Sequence, residues 1–156
     1  MKKTLILCIF LAVTTSSFAQ VALTVKRAET IGISARHLDS LYKSAIHSDV
    51  SLAVFKSQEE QAELLKAYTS LIQDLAAFLK SNNFQWQKPT RCFNRIYFNQ
   101  EGAIDYFLYN FPAIELEAEK EKEFDRLLNL FIKDYRFPLK ANEKFAQCSP
   151  IKYTDL

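Results

Sequence analysis

Glycine is scarce in this chain, which has only two glycines among its 156 residues. A phosphate-cradling loop and the fingerprint of dinucleotide-binding folds both need several glycines close together. The G-x-S-x-G sequence of many serine hydrolases is also missing. The composition therefore disfavours nucleotide-dependent enzymes and hydrolases of this type.

Histidine is equally scarce, and the two histidines are poorly placed for chemistry. His37 and His47 are ten residues apart in one predicted helix, about 80° from each other around its axis. Neither has a partner at i+3 or i+4 that would complete a metal-binding pair. The carboxylates lie in predicted helix starts and solvated runs, where acid–base catalysis is not favoured. We expect no enzyme, no metal and no cofactor.

Long hydrophobic runs are limited to Leu5–Val13, nine residues where a membrane-spanning helix needs about 20. Two lysines precede this run, and Ser17-Phe18-Ala19 places small residues before a cut ahead of Gln20. This layout is typical of a secretory signal peptide. We therefore predict a signal peptide at residues 1–19, export to the periplasm or the extracellular space, and no transmembrane segment after cleavage.

Charge of one sign is not in excess. The chain has 20 basic and 18 acidic residues, and loss of residues 1–19 removes two lysines. The remaining 137 residues are close to neutral and long enough for one domain with a core. Because nucleic-acid binders usually carry a basic surface, we expect no nucleic-acid partner.

Cysteine occurs three times, and the predicted signal peptide takes Cys8 with it. An even pair in a small exported domain is usually a disulfide, so we predict a bond between Cys92 and Cys148. The C-x-x-C spacing of redox-active pairs is absent.

Helical periodicity dominates the first half of the chain. Residues 20–33 could form a flexible lead or a first strand, and residues 34–156 are expected to form a single domain. Ser34 can cap a helix whose apolar positions run from Leu38 to Ile46. Ser57 and Glu60 fit a capping box at the start of a long helix.

Strand-like alternation follows at residues 91–99 and 103–111, joined by a turn that ends at Gly102. A second long helix is predicted from Glu115 to Tyr135, and a last strand follows near Lys144–Tyr153. Pro150 in that strand indicates a sheet edge or a bulge. We therefore predict an α+β fold: a small, mainly antiparallel three-stranded sheet packed against two long helices, with an extra N-terminal helix.

The hairpin contains the candidate site. If its loop is residues 100–102, one face is apolar, and the other pairs Tyr97 with Asp105, Arg95 with Phe107 and Phe93 with Tyr109. This second face is too polar for a sealed core and too aromatic for an ordinary solvated surface. Either the N-terminal helix or Trp86 covers it, or it is a contact surface, since aromatic residues and Arg are enriched at interfaces. The predicted partner-binding residues are Phe93, Arg95, Tyr97, Phe107 and Tyr109.

Two short motifs and the order of elements resemble the C-terminal domain of TonB-type energy transducers. The motifs are Glu101-Gly102-Ala103-Ile104 in the hairpin and Tyr135-Arg136-Phe137-Pro138 after the second long helix. The family has Trp at the position of Tyr135, and it also has a membrane anchor and a Pro-rich segment. The resemblance implies the fold and binding by strand addition at a sheet edge, not energy transduction.

These observations favour a non-catalytic exported module that binds an envelope protein through the outer hairpin face or the sheet edge. A carrier of a small apolar ligand is an alternative. A structural domain that associates with its own copy is another.

Overall fold

The computed structural model of the chain describes residues 20–112 and 116–155. The predicted signal peptide at residues 1–19 lies outside the described residues. Within them, no helix is long and apolar enough to cross a membrane.

In the described residues, five strands form one mixed sheet. They are β1 (Val21–Thr24), β2 (Lys43–Ser44), β3 (Thr90–Phe98), β4 (Ile104–Asn110) and β5 (Phe145–Tyr153). The spatial order is β1-β4-β3-β5-β2. The three central strands are antiparallel, and the two outer strands join them in parallel.

The predicted three-stranded sheet is therefore wrong. The two additional strands, β1 and β2, have four and two residues, too few to show an alternating pattern in the sequence. Of the two alternatives for residues 20–33, the first strand is the one observed. β1 pairs with β4, and β2 pairs with the first two residues of β5.

In the same part of the chain, four α-helices cover the sheet in two layers. They are α1 (Val25–Thr30), α2 (Ala35–Leu41), α3 (Gln58–Ser81) and α4 (Ala118–Asp134), and a 3₁₀ turn lies at Val50–Leu52. The larger core lies between the sheet and the two long helices α3 and α4. A smaller core on the opposite face lies beneath α1 and α2. The sheet is thus sandwiched. Of the two alternatives for the second face of the hairpin, cover by the N-terminal helix is observed in part, since Leu38 of α2 packs with Tyr97 there, whereas Trp86 lies in the larger core.

Local capping signals are confirmed. The Ser57 hydroxyl accepts the Glu60 N–H at 3.1 Å, and the Glu60 carboxylate accepts the Ser57 N–H at 2.8 Å, so the capping box starts α3. The Ser34 hydroxyl caps α2 by accepting the His37 N–H. However, α2 ends at Leu41 because the chain becomes extended at Tyr42 and enters β2. The prediction that His37 and His47 share a helix is therefore wrong.

The hairpin loop is as predicted, but the register beyond it is not. The Asn99 N–H bonds the Ala103 carbonyl, and Phe98 pairs with Ile104. A β-bulge then inserts one extra residue, Asp105, so that Tyr97 pairs with Tyr106. Because side chains alternate between faces, this shift exchanges the faces of the rest of β4.

The bulge places two large rings in the main core. Phe107 and Tyr109 are fully buried on the α3/α4 face, and the Tyr109 ring lies 5.2 Å from that of Phe124. Phe124 lies at the centre of an aromatic cluster, with ring centroids 5.2 to 6.1 Å from its own. The surrounding rings are Phe84, Trp86, Tyr109, Phe111 and Tyr153. Most of the aromatic content of the hairpin thus serves the core.

The predicted disulfide is also wrong. Cys92 pairs with Ile151 across the β3–β5 ladder, whereas Cys148 pairs with Arg95. Since residues 148 and 151 are an odd number apart, the two thiols lie on opposite faces of the sheet. Both are free: Cys92 is buried beneath the long helices and Cys148 is exposed on the other face.

Candidate functional site

The sheet face opposite α3 and α4 is covered only in part. Side chains from β1, β4, α1 and α2 meet there in the smaller core. Tyr97 and Leu108 are fully buried in it. Tyr42 closes one end: its hydroxyl donates to Asp105 at 2.7 Å, and its ring lies 5.1 Å from that of Tyr97.

The other end of this face is open to solvent, on the halves of β3 and β5 that lie farthest from α2. Phe93 is its most prominent apolar side chain, with 42% of its surface exposed. The cross-strand partners of Phe93 are Pro150 on β5 and Asn110 on β4, both exposed. We call this surface the open face; it consists of Arg91, Phe93, Arg95, Asn110, Cys148, Pro150 and Lys152.

The open face carries cations around its apolar centre. Arg91 and Lys152 are exposed and are direct cross-strand partners. Arg95, on the other side of Phe93 along β3, is half-buried. None of the seven side chains of the open face is acidic. The surface is therefore a phenylalanine–proline pair with a cationic rim.

Arg95 is fixed in place at the boundary with α2. One of its terminal nitrogens lies 3.2 Å from the Asp39 carboxylate, whose second oxygen accepts the Tyr97 hydroxyl at 3.0 Å. Burial raises the pKa of Tyr97, so this phenol keeps its proton and remains a donor. The Arg95 Nε donates to the Cys148 sulfur at 3.1 Å. Four side chains thus form one network across β3, β5 and α2.

A solvent-open groove of about 730 Å³ runs beside this network. Asp39, His47 and Cys148 all line it. In the part of the chain that the structure describes, no group of three His, Cys, Asp or Glu residues could hold a metal ion. A second groove, of about 350 Å³, is lined by three lysines and two glutamates among other residues.

The outer edge of β5 is only briefly paired. β2 covers Phe145 and Ala146, and the Ala45 N–H bonds the Ala146 carbonyl. The backbone N–H and C=O groups of the even-numbered residues of β5 therefore point away from β3, and Pro150 is one of these residues. Because proline has no N–H, the edge lacks a donor at the centre of a strand-addition site. The predicted edge strand or bulge at Pro150 is met only locally: β5 lies between β3 and β2, but its outer edge is not paired by β2 at Pro150.

The five predicted partner-binding residues do not share one surface. Phe93 and Arg95 lie on the open face, and Tyr97 lies on the same side of the sheet but is buried under α2. Phe107 and Tyr109 point into the opposite core, so placing them on this surface was wrong. The bulge at Asp105 is the physical cause.

Sequence reasoning missed Arg91, Pro150 and Lys152 as members of this surface. The period-two spacing of residues 148, 150 and 152 puts them on one face of β5. Identifying the face as that of Phe93 would have required the β3–β5 register, which no local signal contains.

No protein-family model, curated protein or solved structure matches this chain. The resemblance to the TonB-type domain therefore stays a prediction.

Proposed function

We propose that this chain is an exported, non-catalytic module that binds another protein on the open face. The observation that carries the proposal is the exposure of Phe93 in the middle of a strand, next to Pro150 and within a rim of cations. Aromatic and arginine side chains supply much of the binding energy at protein interfaces. Export is supported by the sequence pattern of residues 1–19.

The face is a better candidate than the sheet edge or an internal ligand site. Strand addition at β5 would lose a hydrogen bond at Pro150. Carriage of an apolar ligand has little support, because most of the side chains that line the two grooves described above are charged or polar. Arg95, held by Asp39, gives the open face a rigid boundary, and rigid anchors lower the entropic cost of binding.

The test compares two variants that each remove one exposed apolar side chain. Phe93→Ser alters the open face, and Leu65→Ser alters α3, where Leu65 is 61% exposed. Tagged proteins with matching circular dichroism are crosslinked in intact cell envelopes and purified. We expect a partner that is retained by wild type and Leu65→Ser but lost by Phe93→Ser. Equal capture by all three proteins would refute the open face as the site.

A further inference from the structure

We infer that Gln20 is a modification site, open to cyclisation in the unfolded chain and protected from it by the fold. The predicted cut lies ahead of Gln20, so cleavage gives this residue a free α-amino group. A glutamine at the amino terminus can cyclise to pyroglutamate, a five-membered lactam. The inference rests on the export that the proposed function includes, but not on binding at the open face.

The reaction rearranges the bonds of one residue and needs no co-reactant. The α-amino nitrogen forms a bond to Cδ, the bond between Cδ and Nε2 breaks, and Nε2 leaves as ammonia with a proton from the amino group. The product has neither the charge of an amino terminus nor a side-chain NH₂ group. Cyclisation therefore lowers the mass of the chain by one ammonia, which mass spectrometry detects.

The folded chain holds the nitrogen that has to leave. The Gln20 Nε2 donates to the Ile104 carbonyl and to the Ile132 carbonyl, both at 3.0 Å. An amide nitrogen carries two N–H groups, so both are used. Because the two partners are carbonyl oxygens, loss of Nε2 would leave two acceptors without this donor. Cyclisation in the folded state must first break both hydrogen bonds.

The two carbonyls belong to elements that surround the start of β1. Ile104 is the first residue of β4, and Ile132 lies in the last turn of α4, where backbone carbonyls lack partners within the helix. Both residues are fully buried. The backbone after Gln20 is held as well, since Val21 pairs with Tyr106. The Gln20 amide thus joins the sheet to the end of α4, and the fold restrains both the side chain and the strand behind it.

The amino terminus of the protein from cells tests the site in place. The chain is purified from cell envelopes without unfolding, and its first peptide is identified by mass spectrometry. We expect a chain that begins with an intact Gln20. A pyroglutamate terminus would show that the fold does not protect the residue, and a chain that begins at any other residue would remove the site.

The rate of cyclisation tests the physical cause. Residues 20–156 are released from a fusion protein so that Gln20 comes first, and loss of ammonia is followed by mass spectrometry without any added enzyme. A synthetic peptide of residues 20–31 gives the rate for an unfolded chain under the same conditions. We expect the folded protein to react at least about tenfold more slowly, because two hydrogen bonds oppose the reaction.

Two variants of α4 provide the matched comparison. Asn129→Ala removes the amide that bonds the Ala22 N–H and carbonyl, and so loosens β1 without touching Gln20. Arg126→Ala removes an exposed ion pair on the same helix. With matching circular dichroism, we expect Asn129→Ala to raise the rate of cyclisation at least about threefold and Arg126→Ala to change it less than about twofold.

Two results of the rate experiment would overturn the inference. Equal rates for the folded protein and the peptide would show that the Gln20 amide is not held. Equal, slow rates for wild type and Asn129→Ala would show that β1 does not provide the protection. Neither result depends on capture of a partner, which Phe93→Ser tests separately, so the failure of one proposal is distinct from the failure of the other.

Discussion

Gly102 is the residue that lets the hairpin turn and the segment after α4 pack together. Its φ is +83°, and the Phe137 N–H bonds the Gly102 carbonyl at 2.8 Å. A Cβ at this position would overlap the carbonyl oxygen of Phe137. The position thus needs glycine both for its backbone conformation and for the close approach.

Substitution at the two glycines separates these requirements. Gly32 also has a φ of +83°, but a Cβ there would have no atom within 4 Å. We expect Gly32→Ala to lower the free energy of unfolding by about 1 kcal/mol, from backbone strain alone. Gly102→Ala should cost about 3 kcal/mol or more, because overlap adds to strain. Urea unfolding of both variants measures the difference, and equal losses would contradict the overlap.

Cys92 and Cys148 should differ sharply in reactivity. Cys148 is exposed, whereas burial raises the pKa of Cys92 to about 12. Because the thiolate is the nucleophile, we expect iodoacetamide to modify Cys148 in the folded protein and to reach Cys92 only after unfolding. Peptide mass spectrometry after timed alkylation measures both rates. In the chain of residues 20–156, which lacks Cys8, Cys148→Ser should leave no rapidly reacting thiol, and rapid labelling of Cys92 in that variant would contradict its burial.

At the scale of elements, the free edge of β1 is closed by a side chain. The Asn129 amide of α4 accepts the Ala22 N–H and donates to the Ala22 carbonyl, both at 2.9 Å. It thereby makes the two hydrogen bonds that a neighbouring strand would make. Unpaired strand edges invite pairing with other chains, so this contact protects β1 as well as holding it against α4.

Removal of this amide should therefore loosen β1 specifically. Asn129→Ala leaves two backbone groups of the fully buried Ala22 without partners, at a cost of about 2 to 4 kcal/mol. Native-state hydrogen exchange should show faster exchange of the Ala22 amide and little change in β3. Arg126→Ala on the same helix, which loses only an exposed ion pair with Glu123, is the control and should cost less than about 1 kcal/mol. Unchanged protection of Ala22 in Asn129→Ala would refute the bridging role.

The elements that could be predicted are those whose signals are local. The Ser57–Glu60 capping box and the turn at Gly102 each depend on residues within four positions of one another. The buried stripe of α4, from Phe124 to Ile132, follows the period of the helix itself.

The elements that escaped prediction depend on distant partners. β2 exists because two residues pair with the start of β5, about a hundred positions later in the chain. The bulge at Asp105 is favoured because it puts Phe107 in the main core while the carboxylate reaches Tyr42 on the opposite face. Only part of the candidate site could be predicted, because its other members also depend on distant strand partners. Phe93 and Arg95 are positioned by β3 alone, whereas the other members depend on β4 and β5.

At the scale of the whole molecule, burial raises the pKa values of one cysteine thiol and of several tyrosine hydroxyls. Burial raises the pKa of Cys92 from 9.0 to about 12, and burial together with Asp74 raises that of Tyr135 from 10.0 to about 12. The pKa values of Tyr42, Tyr97 and Tyr109 are also raised, chiefly by burial. These groups hold their protons more tightly in the folded than in the unfolded state. Their contribution to stability is complete below the unfolded pKa and is lost as the pH rises towards the folded pKa.

We therefore expect the free energy of unfolding to fall steadily from about pH 9 to about pH 12. Urea unfolding followed by far-ultraviolet circular dichroism at several pH values measures this fall. Cys92→Ala should delay its onset to about pH 10, where the phenols of the unfolded chain begin to ionise. Cys148→Ala alters an exposed thiol and should keep the wild-type profile. A constant free energy of unfolding up to pH 11 would contradict the burial of these groups.

The bulge in β4 also determines where the chain can change its length. Deletion of Asp105 would restore a regular ladder with the same pairs, Tyr97 with Tyr106 and Ile96 with Phe107, but it would remove the carboxylate that accepts the Tyr42 hydroxyl. A residue gained further along β4 would instead shift these pairs by one and exchange the faces of the strand beyond it. The exposed segment at residues 47–49 lies outside the sheet, so a residue gained or lost there disturbs local hydrogen bonds such as that from the Ser51 N–H to Asp49 but moves no strand residue to another face. Insertions and deletions should therefore accumulate in that loop during evolution, while the hairpin keeps a constant number of residues.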